Sequence, residues 1–194
     1  MVVVVIIAVM AVIAVPLFSA RFRAQRVLQV AGRIADLYRG SHTRALARGA
    51  ATVVTLNVGT GTLQVLEGVQ GTTAAKTNCA NLPTQGCVTN NWGNVGTSSA
   101  VGTARIIEGI SQQNVTTTMT LPGSSALTAG NVALCFSPGG RTFVNTAGAW
   151  TPDNWQPLTN VALVTISDPS NSPRTYNVLI MPNGTARLEA TRLP

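Results

Sequence analysis

The sequence predicts an α+β protein in which one long N-terminal helix packs on an antiparallel β-sheet head. Three observations lead there. Residues 1–20, MVVVVIIAVMAVIAVPLFSA, carry no charge. From Arg21 to Gly49, apolar residues recur at three- and four-residue steps, the signature of a helix with one apolar side. The 145 residues after Gly49 are filled with Thr, Asn, Ser and Gly around short apolar segments bounded by turn residues.

About twenty apolar residues are needed to cross a hydrocarbon core of roughly 30 Å. Residues 1–20 therefore read as the transmembrane half of a helix and 21–49 as its amphipathic half. In that second half Val27, Val30, Ile34, Leu37, Tyr38 and Ala45 share one stripe, with Arg23, Arg26, Arg33, Arg39 and Arg44 between them. Gly49 after Arg48 marks the end, a basic last turn followed by a glycine cap. The whole helix would reach on the order of 70 Å at 1.5 Å per residue, more than anchoring requires. A plain stalk is the bland alternative, but a stalk needs no apolar face. The expected cover for the stripe is the head, residues 50–194.

Within the head, Ala51 to Val58 alternates and is rich in Val and Thr, a strand leaving the helix. Leu63 to Leu66 reads as its partner across the GTGT turn at Gly59. Gly68 to Ser99 is loop-like and too long for a bare connection, so it reads as an insertion. Ala104 to Ile110 and Val115 to Leu121 read as strands separated by SQQN. Asn131 to Phe136 and Arg141 to Asn145 read as a hairpin across SPGG. Asn145 to Thr159, with Trp150 and Trp155, reads as a packed loop. Val161 to Ser167, Thr175 to Met181 and Thr185 to Ala190 complete the set, the last two joined at Asn183-Gly184, a strong hairpin signal.

Only 10% of the chain is charged, against roughly 25% in an average soluble protein. The net charge of +7 is unevenly placed. Residues 21–48 carry seven arginines against Asp36 alone, whereas the head is close to neutral at +1. The basic excess thus lies on the helix, where it would meet lipid headgroups or neighbouring subunits, and a general nucleic-acid-binding surface is not indicated.

No catalytic constellation is present. His42, the only histidine, reads as a surface helical residue with no oriented partner for acid–base work. GTGT lacks the Lys-Ser/Thr end of a phosphate loop. Trp92, Trp150 and Trp155 read as packing residues, since no basic cluster surrounds them. Of three cysteines, Cys79 and Cys87 bracket the turn-rich segment NCANLPTQGC and are expected to form a disulfide, while Cys135, inside an apolar run, is expected to be a buried free thiol. Zinc is the alternative, but no second pair and no suitable histidine accompany them. No cofactor or metal is expected.

MVVVVIIAVMAVIAVPLF resembles the membrane segment of type IV pilins and type II secretion pseudopilins, including the spacing from Met1 to Pro16. YRGSHTRALARGAATVVTL (38–56), NVALCFSPGGR (131–141) and TYNVLIMPNGTAR (175–187) resemble the general secretion pathway protein H and FimT-like branch. The resemblance covers both ends and hardly touches 59–127. The family's Gly-Phe-Thr-Leu-x-Glu motif is absent, and the reading frame is expected to extend upstream of Met1 through a basic leader bearing it. Such a leader would also reverse the orientation that Arg21, Arg23 and Arg26 alone would impose, a cytoplasmic head. A cleaved secretory signal is the competing account, without the basic n-region such a signal has.

The resemblance implies a pilin fold and a minor pseudopilin or pilin, a structural subunit of the secretion pseudopilus or type IV pilus. It implies an inner-membrane location, a periplasmic head, N-terminal processing and methylation by a prepilin peptidase, and an inner-membrane assembly platform. Its partners would be other pseudopilins or minor pilins, met through the N-terminal helix. The alternative is a FimT-like minor pilin that captures DNA, contacting it through Arg141, Arg187 and Arg192. The DNA binders of that branch carry Gly-Arg-x-Arg before the final strand. Here the positions are Gly184, Thr185, Ala186 and Arg187, so one of the two arginines is missing.

Overall fold

The computed structural model describes residues 2–68, 87, 104–111, 115–147, 154–168 and 174–192, and of these the side chains of 2, 4–20, 68, 104–111, 174 and 191–192 are left out. A single helix, α1, runs Val2–Arg48. Gly49 follows it at φ +63°, the left-handed cap conformation that glycine adopts without strain. The expected transmembrane stretch falls on residues whose side chains, Val3 excepted, lie outside the described set. Among the described residues no helix is long and apolar enough to cross a membrane.

Strands β1 (Thr52–Asn57), β2 (Thr62–Gly68), β3 (Ala104–Ser111), β5 (Asn131–Phe136), β6 (Thr142–Asn145) and β7 (Gln156–Pro157) make one antiparallel sheet in the order β3-β2-β1-β5-β6-β7. Strands β4 (Thr116–Thr120), β8 (Ala162–Ser167), β9 (Arg174–Ile180) and β10 (Ala186–Arg192) make a second, in the order β10-β9-β8-β4. Three turns anticipated from the residues close as hairpins. Asn57 accepts from Gly61 N–H at 2.9 Å through its carbonyl and from Thr60 N–H at 3.1 Å through Oδ1, turning β1 into β2. Ser137 and Arg141 close the β5–β6 turn, and Met181 and Thr185 close β9–β10. β3 and β4, neighbours in sequence, belong to different sheets.

The helix lies against both sheets, touching β8, β9 and β10 of one and β1 and β5 of the other. Its expected stripe is the side that is buried: Val27, Val30, Ile34, Leu37, Tyr38 and Ala45, joined by Ala31, Ala35 and Ser41. Facing it are Val54 and Leu56 of β1, Leu134 and Phe136 of β5, Val164 and Ile166 of β8, and Val178 and Ile180 of β9. Each large stripe residue contributes about 2 kcal/mol by leaving water, which is why the helix and head form one body.

The β1–β5 centre is covered on its other face as well. Ala51, Val53, Leu66, Cys87, Ala133, Cys135 and Trp155 form a second buried cluster there. Strand parity explains it. With Leu134 and Phe136 turned to the helix, Ala133 and Cys135 must point away from it. A sheet buried on both faces reads in sequence as a continuous apolar run, as NVALCF does.

Candidate functional site

Among the described residues, polar contacts join helix to head at the C-terminal end of the helix and at the final hairpin. Glu67 on β2 shares its inward parity with Leu63 and Val65 and is 1% exposed. Arg48 Nε stands 2.9 Å and Arg44 Nε 3.5 Å from its Oε1. A carboxylate at that depth is tolerable only with cationic partners, and cations in the last helical turns also answer the partial negative charge there. The asymmetry of burial makes a prediction. Glu67→Gln removes the buried charge and leaves two arginines that reach water, costing about 1–2 kcal/mol. Arg44→Ala with Arg48→Ala strands the carboxylate and costs about 3–5 kcal/mol. Equal losses in denaturant titrations of the two variants would refute this account of the site.

The second is the seam between helix and final hairpin. Arg39 Nε donates to the Ala186 carbonyl at 2.8 Å, and its Nη1 pairs with Asp36 at 3.1 Å. Tyr38 and His42 both set their rings edge-on to Phe136, at centroid distances of 6.4 and 5.8 Å. The His42 ring also lies against Gly184, whose φ is +82°. Thr142 N–H donates to the Pro182 carbonyl at 3.0 Å, tying β6 to the same turn. The hairpin turn is thus held from the helix and from the other sheet.

His42 is therefore not the surface residue expected. Burial lowers its pKa from the ordinary histidine value, and the charged residues nearest it on its own helix, Arg39 and Arg44, are both cationic. The flanking groups offered by β5 and by the hairpin turn, Phe136 and Gly184, carry no charge. The folded state then favours neutral imidazole. Its contribution to stability is complete above an unfolded-state pKa of about 6.5 and is lost as pH falls below it. The unfolding midpoint should drop between pH 7.5 and 5, and His42→Gln should remove the part of that drop due to imidazole. A pH profile unchanged by the substitution would contradict it.

The cysteine expectation is corrected. Cys87 is bonded to Cys135, with the two Cα atoms 5.9 Å apart, and not to Cys79, which lies outside the described residues. Cys135 is accordingly not a free thiol. Its sulfur points out of the helix-facing core toward the cluster where Cys87 sits. Among the described residues no group of three or more His, Cys, Asp or Glu could hold a metal ion.

The arginines of the DNA reading are only partly brought together. Arg141 is exposed and precedes Thr142, so its backbone stands beside the Met181–Thr185 turn. Arg187 is exposed on the face of β10 turned away from the buried Ala186, with exposed Glu189 two residues along the same face. The Arg192 side chain is outside the described residues, as are Trp92 and Trp150, while Trp155 is buried in the second cluster. Glu67 went unnoticed in the sequence. Its parity with Leu63 and Val65 was the available signal.

No protein-family model matches the chain. No curated protein matches it. Among solved structures, one of the minor pseudopilin EpsH from the type 2 secretion system of Vibrio cholerae aligns over 87% of this chain and 99% of its own, at 12% identity and a TM-score of 0.47. A crystal structure of the same Vibrio cholerae pseudopilin aligns over 88% and 97%, at 14% identity and a TM-score of 0.46.

Proposed function

We propose that this chain is a minor pilin-type subunit of a secretion pseudopilus or type IV pilus, anchored in the bacterial inner membrane with its head in the periplasm. The observation that carries the reading is the division of labour along α1. Its second half is sealed to the head by the Val27–Ala45 stripe, and a charge-free run of twenty residues precedes Arg21. Side by side, such runs hold subunits together by close van der Waals contact, and the head selects which neighbour fits. The partners are other pseudopilins or minor pilins, with an inner-membrane assembly platform and a prepilin peptidase acting on the chain. The Cys87–Cys135 bond supports an oxidising compartment.

DNA capture is the weaker reading. Affinity for duplex DNA comes mainly from cations on phosphates, and Glu189 beside Arg187 opposes it. The purified full chain in detergent should bind duplex DNA no better than weakly at physiological salt. Deleting the gene in its native host should impair secretion or pilus assembly. Submicromolar, salt-sensitive DNA binding lost in Arg187→Ala, together with loss of transformation alone, would reverse the choice.

A further inference from the structure

We propose that Arg21, Arg23 and Arg26, with Phe22 among them, form a docking surface for the headgroups of anionic lipids. The proposal rests on the anchored reading above and adds a ligand class to it. All four side chains are exposed, Phe22 at 67%. They follow directly on the charge-free run, and Ala24 is the only residue of 21–26 that the head buries. No acidic residue occurs in the sequence before Asp36, which is paired with Arg39 at 3.1 Å. Every charged side chain on the helix up to residue 35 is therefore an arginine.

The helix geometry aims that charge at the bilayer. Cα–Cβ bonds tilt toward the helix N-terminus, so these side chains lean back toward residue 20. Arg26 lies about 9 Å along the axis from Ala20, and an arginine stem can lie along the helix while its guanidinium reaches the headgroup layer. That layer extends roughly 5–7 Å beyond the hydrocarbon on each side. Guanidinium groups take phosphate oxygens in pairs. An exposed Phe22 is unexplained on a merely solvated basic face. At the boundary between acyl chains and headgroups it has a place.

The test uses the full chain in a non-ionic detergent micelle, titrated with dioleoyl phosphatidylglycerol or dioleoyl phosphatidylcholine, with retained lipid counted by native mass spectrometry. At about fivefold per arginine, the glycerol lipid should be favoured by roughly a hundredfold, less at high salt. Arg21→Gln, Arg23→Gln and Arg26→Gln together should bring the two lipids near parity, while Arg141→Gln with Arg187→Gln should keep the preference. A wild-type chain without preference, or a triple variant that keeps it, overturns the proposal. Carbonate washing of phosphatidylcholine vesicles loaded with the chain separates the two levels. Loss of the chain there overturns the anchored reading and this proposal with it, whereas retention without lipid preference overturns the headgroup surface alone.

Discussion

Gly184→Ala is expected to destabilise the head by roughly 2–5 kcal/mol. Two costs add. At φ +82° an alanine sits in the left-handed region, about 1–2 kcal/mol above glycine. Its Cβ would also fall 2.7 Å from His42 Nε2 and 2.9 Å from Cγ, inside any normal contact. Phe136 packs edge-on against the same ring, so moving the ring disturbs that contact too. Overpacking of this kind costs about 1–3 kcal/mol. In a chain of this size the sum lowers Tm by roughly 5–15 °C. A double-mutant cycle with His42→Ala isolates the steric part. Coupling of about 1–3 kcal/mol is expected, since the three atoms nearest the new Cβ all belong to the ring and removing it leaves mainly the backbone cost. Additive losses in the two single variants would mean that the ring and the turn are independent.

That contact also shows where reading the chain residue by residue ends. Asn183-Gly184 announces a hairpin, and the step pattern through Ile34 and Tyr38 announces the buried side of the helix, because both signals are local. What Gly184 touches is set by a residue 142 positions earlier. Nothing near His42 in sequence distinguishes a ring set against Phe136 and a glycine from one in water. The same limit explains β3 and β4. Each was legible as a strand from its own residues, yet their membership of different sheets depends on pairings with β2 and β8 made elsewhere in the chain.

Some of the missed features had been within reach. Glu67 continues the inward parity of Leu63 and Val65, and the arginine-rich end of a helix is a natural place for a buried carboxylate to find partners. Cys135 alternates with Leu134 and Phe136. A core shared with those two residues was never open to it. A strand at the centre of a sheet covered on both sides has two buried faces.

The bond between Cys87 and Cys135 carries the other large expected effect. It ties Cys87 to a central strand, across a sequence separation of 48. Closing a loop of that length restricts the unfolded chain enough to stabilise the fold by about 4 kcal/mol, against roughly 2–3 for the short ring to Cys79. Peptide mapping without reduction should recover a linked 87–135 peptide, with Cys79 alkylated in the same sample. Cys87→Ala and Cys135→Ala should each cost about 3–5 kcal/mol, and the double variant no more than the costlier single one. Such non-additivity is what two residues acting as one link must show. Cys79→Ala should leave stability within about 0.5 kcal/mol of the parent. A linked 79–87 peptide, with full stability retained in Cys135→Ala, would instead restore the short ring and return Cys135 to a packing role.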